Sequence, residues 1–265
     1  ATGTTNVLVA NNFISDLKTA NYSSTNTTYN AFGIRITGGT NLKIYHNSIN
    51  MFGTVTSHTL AGMSANMVIT AALTGLDVRN NIFVNTQTFG VAGSFAYNIY
   101  LGSTGITFAN INNNDYWGTS GTNTTYIVGY DGSTARTTLN DWKTYTTQDA
   151  NSVAIAPVFT SPVNLLLTPA DNATLNDLGT NLYSFVPDDI EDHQRSTTPD
   201  MGADEFTPPL CSGAVAGTAV VTGNSTFCGS GVPNITASGY STGLGSGYQW
   251  QYSNDNFQTD INDFV

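Results

Sequence analysis

The sequence predicts an all-β chain whose first part is a β-solenoid, and three observations carry this prediction. Similar stretches recur every 33 to 35 residues, an interval typical of repeat architectures. Each repeat holds at least two short runs rich in β-branched residues, joined by Gly, Thr, Ser and Asn. No extended apolar pattern with the helical period is present, so helical solenoids do not fit. Each repeat is therefore expected to form one coil, stacked on its neighbour at a strand spacing of about 4.8 Å.

A pair of amides inside an apolar stretch marks each repeat. The stretch GLDVRNNIFVN (75–85) begins as an alternating strand, and two asparagines then interrupt it. Asn tolerates the left-handed backbone of a tight corner, and stacked amides can hydrogen-bond along a column. The sequence predicts an Asn ladder at a corner between two sheets. Its members are the second amide of each repeat, at spacings of 35, 34 and 33 residues: Asn12, Asn47, Asn81 and Asn114.

Apolar residues keep step with this ladder. Val9, Ile44 and Val78 each lie three residues before their amide and are expected to stack inside the coil. The alternative is that Asn is merely abundant in an ordinary sandwich, but abundance would not place apolar residues at matching positions. The solenoid is the favoured interpretation.

After the coils, which occupy about residues 1–130, the pattern changes. TTLNDWKTY (137–145) predicts a short helix, with Thr138 as N-cap and Asp141 completing a capping box. ANSVAIAPVF (150–159) returns to β character. Residues 160–209 are rich in loops and proline, and Pro208 with Pro209 marks a domain boundary. We expect a solenoid domain at 1–209 with a C-terminal closing segment, and a second domain at 210–265.

The second domain has short alternating runs punctuated by glycine. YQWQYS (248–253) places Tyr248, Trp250 and Tyr252 on one face, as in a sandwich strand. Both cysteines of the chain, Cys211 and Cys228, fall in this small domain. An even number confined to a small secreted module indicates a disulfide, because such a module has little core. Two free, buried thiols are the alternative.

Composition excludes several classes of function. The net charge is −11 with only seven Lys plus Arg, which argues against nucleic acid and anionic membrane surfaces as partners. No apolar run reaches the length of a membrane span. The first residues already lie within a repeat and the last ones stop within a β pattern, so we expect a piece of a longer chain.

Several stretches carry a family resemblance: NNIFVN, NNDYWG, TLNDWKTYTTQDANSVAIAPVF and the ending DIEDHQR…TPDMGADEF. They resemble right-handed parallel β-helix repeat proteins of the pectate-lyase-like superfamily over roughly residues 1–206. The region from Cys211 is similar to the Ig-like repeats of large surface adhesins of Bacteroidota, as an incomplete β-sandwich. The resemblance implies an all-β protein, with a right-handed parallel β-helix followed by a partial Ig-like β-sandwich, that is extracellular, at the cell surface and exported by type IX secretion.

One outward patch is the best catalytic candidate. Lys43 and Asp77 are 34 residues apart, as are Tyr45 and Arg79, so each pair is expected on neighbouring coils, with His46 beside them. Polysaccharide lyases of the resembling fold use Lys or Arg as a base, which requires a lowered pKa. The alternative, which we favour, is a structural salt bridge between Lys43 and Asp77.

The sequence signals for other kinds of site are weaker. Seven carboxylates crowd into residues 188–205, where oxygen ligands could hold calcium, but no known calcium-loop spacing is present and Arg195 and His193 offer counter-charges. Glycoside hydrolysis needs paired carboxylates, whereas Asp77 is the only acidic residue between Asp16 and Asp115. The three histidines, His46, His58 and His193, show no metal-ligand spacing. We expect no cofactor or metal.

Two functions remain. The favoured one is a non-catalytic structural or adhesive segment of a large secreted surface protein that contacts glycans or other surface components. The alternative is a carbohydrate-active enzyme, a lyase or a hydrolase, with an Ig-like accessory domain. An enzyme needs a charged groove on the outer face, whereas an adhesin needs only a polar or aromatic surface.

Overall fold

The protein is represented by a computed structural model that describes most of the chain. Two compact units are present, Ala1–Pro208 and Pro209–Val265. The described residues are 6–19, 23–56, 59–209, 217–222 and 234–239, with the backbone alone of 251–252 and 262–263.

Short strands make up the first unit. They are, in chain order, β1 Leu8–Ala10, β2 Phe13–Ser15, β3 Ala31–Ile36, β4 Lys43–Tyr45, β5 Ser48–Met51, β6 Thr54–Val55, β7 Met63–Ile69, β8 Leu76–Arg79, β9 Ile82–Asn85, β10 Thr88–Phe89, β11 Ser94–Leu101, β12 Phe108–Asn112, β13 Asp115–Gly118, β14 Thr124–Tyr130 and β15 Ala135–Arg136.

The strands form three long sheets that run along the stack. Their orders are β1-β4-β8-β12, β2-β5-β9-β13 and β3-β7-β11-β14-β15, and a small sheet pairs β6 with β10. Every pairing is parallel except that of β14 with β15. Strands from successive repeats therefore lie side by side, which confirms the predicted parallel β-solenoid, of about four turns.

The core lies between these sheets and is stacked in register. Val9 is paired with Ile44, and Ile44 with Val78. Ile44 and Val78 are buried. The same cluster includes Ile49, Met67, Phe83 and Ile99 from the other two sheets. Burial on several sides explains why the strands contain consecutive apolar residues rather than a strict alternation.

The predicted helix is confirmed as α1, Leu139–Thr146. Thr138 is its N-cap and forms the capping box with Asp141. Trp142 is fully buried, and its ring lies where a side chain on Gly129 would be, because a Cβ there would be 2.1 Å from the ring. The following stretch, 150–159, joins the stack by one isolated bridge, Val153 to Asp115, rather than by a strand.

In the second unit the structure describes two antiparallel strand pairs. These are β16 Thr218–Thr222 with β17 Asn234–Ser238, and β18 Gln251–Tyr252 with β19 Asn262–Asp263. The side chains of β16 and β17 are exposed. Two separate pairs do not establish a sandwich, so the Ig-like domain stays a prediction. Among the described residues, no helix has the length and apolar character needed to cross a membrane.

Candidate functional site

The four predicted ladder amides lie in one hydrogen-bonded column. The Nδ2 of Asn12 donates to Oδ1 of Asn47 at 2.8 Å, Asn47 donates to Asn81 at 3.0 Å, and Asn81 donates to Asn114 at 2.9 Å. Each amide also donates a hydrogen bond to a backbone carbonyl; for example, Nδ2 of Asn47 donates to the carbonyl of Val9 at 3.0 Å. Asn47, Asn81 and Asn114 are fully buried. The column therefore satisfies backbone groups that the corner would otherwise leave unpaired.

The ladder ends on Ser152 instead of a fifth Asn. The backbone N–H of Asn114 donates to Oγ of Ser152 at 2.9 Å, and that hydroxyl donates to the Asp149 carboxylate. The indole N–H of Trp142 donates to the same carboxylate at 2.9 Å. Burial raises the pKa of Asp149. Helix α1 is thus tied to the end of the ladder through one buried acid.

The first residue of each motif, not the second, makes the turn. Positive φ angles of 50° to 58° occur one residue before each ladder amide, and the ladder amides themselves have negative φ. Only a few residue types enter this backbone region without strain, and Asn is the commonest after glycine. We call these four residues the corner column: Asn11, His46, Asn80 and Asn113.

Side chains of the corner column bind residues 177–206, which we call the closing segment. Asn113 donates to the carbonyl of Leu178 at 2.9 Å, and Asn11 donates to that of Asp188 at 2.7 Å. Asn80 lies between them and makes two hydrogen bonds to the backbone of Thr180. The closing segment therefore runs back along the stack, from the fourth turn to the first.

His46 is a neutral member of the corner column. Its Nδ1 lies 3.2 Å from the carbonyl of Gly202, and its Nε2 lies 2.9 Å from Nδ2 of Asn80. Burial, and next the guanidinium of Arg195, hold the pKa of His46 well below its usual range. The carbonyl can only accept and the amide nitrogen can only donate. Nδ1 therefore carries the proton and Nε2 accepts.

The predicted outward patch contains an ion pair, but not the expected one. Arg79 donates to both oxygens of Asp77 at 2.7 Å, within one strand, and the Lys43–Asp77 salt bridge expected from the sequence is absent among the described residues. A guanidinium matches a carboxylate with two parallel bonds, which an ammonium cannot do, so Arg79 wins the competition for Asp77. Tyr45 completes the group by donating to Asp77 at 2.7 Å.

Both cations of this patch are occupied. Burial by itself lowers the pKa of Arg79, but the hydrogen bonds and charge of Asp77 and Tyr45 together outweigh it and raise the pKa. Burial, followed by the hydrogen bond to Asp77, raises the pKa of Tyr45 to about 12. The Nζ of Lys43 lies over the ring of Phe185, 5.4 Å from its centre. The closing segment covers Tyr45 with Leu182 and Val186.

The carboxylates of the closing segment bind backbone N–H groups, most of them within the segment itself. Asp200 accepts from the N–H groups of Asp177 and Phe206, and Asp204 accepts from that of Leu167. Asp189 accepts from three N–H groups, of Glu191, His193 and Glu205. Among the described residues no group of three or more metal-binding side chains is gathered. The acidic run therefore acts in folding the segment.

Two of these acids titrate near neutral pH. Burial raises the pKa of Asp200 to about 7 and that of Asp204 to about 6, against the opposing effect of their backbone hydrogen bonds. The buried Arg195 is their counter-charge. It donates to the Asn11 side chain at 2.9 Å, to the carbonyls of Gly202 and Ala203, and to the Glu205 carboxylate at 3.2 Å.

Sequence reasoning missed a second, internal amide pair. Asn98 donates to Oδ1 of Asn66 at 2.9 Å, and both are fully buried. Asn66 also donates to the carbonyls of Ile49 and Val84. The signal was present, because NMVITAA (66–72) and YNIYLGS (97–103) each carry one Asn in the second β run of a repeat.

Three predicted features lie outside the described residues: the disulfide partners Cys211 and Cys228, His58, and the aromatic face of Tyr248, Trp250 and Tyr252, where only the backbone of 251–252 is described. Comparison of the chain with protein-family models, with curated proteins and with solved structures gave no match. The site is therefore interpreted from its own geometry.

Proposed function

We propose that the chain is a non-catalytic structural and adhesive segment of a large secreted cell-surface protein, attaching to surface components or glycans. The observation that carries the proposal is the state of the outward patch. Arg79 is paired with Asp77, Tyr45 donates a hydrogen bond to the same carboxylate, and Lys43 lies against an aromatic ring. The charged groups of this patch are paired or stacked and the closing segment covers Tyr45, so the patch offers no free catalytic group.

The alternative of a polysaccharide lyase is disfavoured by proton chemistry. A base that removes a proton next to a uronate carboxylate needs a lowered pKa, and the pKa of Arg79 is raised. A net charge of −11 also opposes binding of an acidic polymer.

The arrangement of the carboxylates disfavours a glycoside hydrolase. Asp77 is held in a bidentate ion pair, and Asp189, Asp200 and Asp204 accept backbone hydrogen bonds. Hydrolysis requires two carboxyl groups facing one glycosidic bond, with room for sugar and water between them.

The finer assignment rests on the sequence resemblance. It includes the right-handed β-helix, the Ig-like second domain, the likeness to adhesins of Bacteroidota and the extracellular location. A repetitive scaffold with equivalent surfaces on successive turns suits a protein that must span distance and present contacts.

An activity assay tests the non-catalytic part. The chain is incubated with polygalacturonate, alginate and neutral polysaccharides while new unsaturated ends and new reducing ends are measured. We expect neither to form. Turnover that vanishes in Lys43→Ala or Arg79→Ala would overturn the proposal in favour of an enzyme at the outward patch.

A display assay tests the adhesive part. The chain is displayed on a non-adherent host cell, and retention of these cells on polysaccharide-coated and cell-coated surfaces is measured under flow. We expect retention above that of the undecorated host, and loss of it when Asn47→Leu and Asn81→Leu together break the ladder. Equal retention of decorated and undecorated hosts on every surface would contradict an adhesive role.

A further inference from the structure

An open cleft lies on the closing segment, outside the outward patch. It has a volume of about 630 Å³, within the size range of small-molecule sites. Two stretches of the segment, 181–184 and 194–197, form its walls. Apart from the buried Arg195 the lining is uncharged, with one aromatic ring, amides and hydroxyls: Asn181, Tyr183, Ser184, Gln194, Ser196 and Thr197.

Buried side chains anchor both walls of the cleft. Leu182 and Val186 anchor the first wall by packing on Tyr45. Arg195 is 4% exposed, and its hydrogen bonds to Asn11, Gly202 and Ala203 hold the second wall. The exposed lining side chains therefore extend from anchored backbone, and less backbone order has to be gained on binding, which lowers the entropy cost.

Tyr183 is the central contact. Its side chain is 44% exposed, although a ring of this size normally lies against other atoms. Its hydroxyl accepts a hydrogen bond from Nε2 of Gln194 at 2.7 Å, so the ring is held and the hydroxyl hydrogen can still be donated. The backbone N–H of Tyr183 donates to Oδ1 of Asn181 at 3.0 Å, which ties the backbone of Tyr183 to a second lining residue.

We infer that this cleft binds a neutral oligosaccharide. A sugar ring presents C–H groups on one face, which pack against the negative face of an aromatic ring, and hydroxyls at its edge, which pair with amides and hydroxyls. The lining supplies both. The only cation, Arg195, is already bonded to Glu205, and the net charge of −11 repels anions, so uronates are excluded.

The inference rests on the proposed attachment role and names its ligand class. The test uses the full chain with pentasaccharides of glucose, mannose, xylose and N-acetylglucosamine, and with pentagalacturonate, by isothermal titration calorimetry and ligand-observed NMR. We expect at least one neutral sugar to bind and pentagalacturonate not to bind. We expect Tyr183→Ala to weaken binding at least about tenfold, since the stacking contact is lost.

Tyr145→Ala is the matched control. Tyr145 is a tyrosine of helix α1 with 36% exposure, and it does not line the cleft. Its loss should change affinity by less than about twofold. Gln194→Ala should weaken binding while leaving the unfolding midpoint unchanged, because its side chain is exposed.

Three results would overturn the inference: no neutral sugar binds, pentagalacturonate binds more tightly, or Tyr183→Ala binds as the unaltered chain does. Each can be separated from failure of the proposed function. If cells displaying the chain are retained under flow while any of these results holds, the attachment role stands and the ligand site lies elsewhere.

Discussion

The side chain of Asn80 hydrogen-bonds both backbone groups of Thr180, a residue 100 positions away, as a neighbouring strand would. Its Oδ1 accepts from the N–H of Thr180 at 2.9 Å, and its Nδ2 donates to the carbonyl of Thr180 at 2.7 Å. One amide in the corner column therefore satisfies both backbone groups of a residue in the closing segment. This pairing fixes the closing segment to the third turn of the solenoid.

Asn80→Ala should loosen the closing segment. The change leaves both backbone groups of Thr180 without their partner and removes the donor to His46, at a cost of about 1–3 kcal/mol. Limited proteolysis should then cut within 180–197 at concentrations of protease that leave the unaltered chain intact.

Asn140→Ala is the control for this change, because Asn140 is exposed on α1. It should leave the cleavage pattern as it is. A pattern for Asn80→Ala equal to that of the control would show that the pairing does not hold the segment.

Asn47→Leu should destabilise the solenoid by about 1–3 kcal/mol. The amide donates to Val9, Tyr45 and Asn81 and accepts from Asn12, so its loss leaves buried polar groups unpaired. Urea unfolding measures the free energy, with the exposed Asn140→Leu as control, expected within about 0.5 kcal/mol of the unaltered chain. A cost for Asn47→Leu no larger than that of the control would show that the ladder has no energetic role.

His46→Asn should remove an acid sensitivity. The folded-state pKa of His46 is lowered, so below about pH 6.5 the unfolded chain binds a proton that the folded chain does not. Acidification from pH 7.5 to 5.5 therefore lowers the free energy of unfolding through His46, and the variant lacks that contribution. Asn already occupies the three equivalent corner positions, so the variant should keep the fold.

The measurement is urea unfolding of both chains across this pH range. The stability of the unaltered chain relative to His46→Asn should fall as the pH falls. A difference that stays constant with pH would contradict a neutral, buried His46.

The stability of the unaltered chain relative to Asp115→Asn should fall as the pH rises, which is the opposite of the dependence expected for His46. Burial holds the pKa of Asp115 well above its usual range, and Oδ2 has no hydrogen-bond partner among the described residues. A raised carboxyl pKa gives stability that is present at low pH and is lost as the pH rises through the folded-state value. The variant keeps an oxygen for the N–H of Ile155 and cannot ionise. It should be the more stable chain at pH 8, and a less stable variant at that pH would contradict the reasoning.

The disulfide between the two cysteines stays a prediction. A bridge between Cys211 and Cys228 closes a loop of moderate size, worth about 3 kcal/mol in the chain-entropy model. Intact mass after alkylation without reductant should show no modified thiol, and alkylation after reduction should show two. Two alkylated thiols in the unreduced, folded protein would mean that the bridge is absent.

The parts of the fold that repeat were predictable from the sequence. Each coil restates the same pattern, so the register of Val9, Ile44 and Val78 followed from spacing alone. The capping box of Thr138 and Asp141 is local and was equally predictable. Local and periodic signals need no knowledge of distant partners.

The site depended on distant partners, and there the sequence was insufficient. The spacing predicts that Lys43 lies beside Asp77 on the neighbouring strand, and the register agrees. The spacing does not show that Arg79 reaches Asp77 within its own strand. The sequence predicted a turn at each amide motif but not that the first residue of the motif makes it, and nothing local shows that Asn80 binds Thr180. Such contacts are set by how the closing segment lies on the stack.

The pairing of the first corner with the closing segment also sets an order of events during synthesis. Ladder contacts join residues 33 to 35 positions apart, so each coil can settle on the previous one as it leaves the ribosome. Asn11, in contrast, binds Asp188 and Arg195, across separations of 177 and 184 residues. Long-range contacts form slowly because a large loop must close first. Among the four described corners, the one translated first is therefore the one completed last.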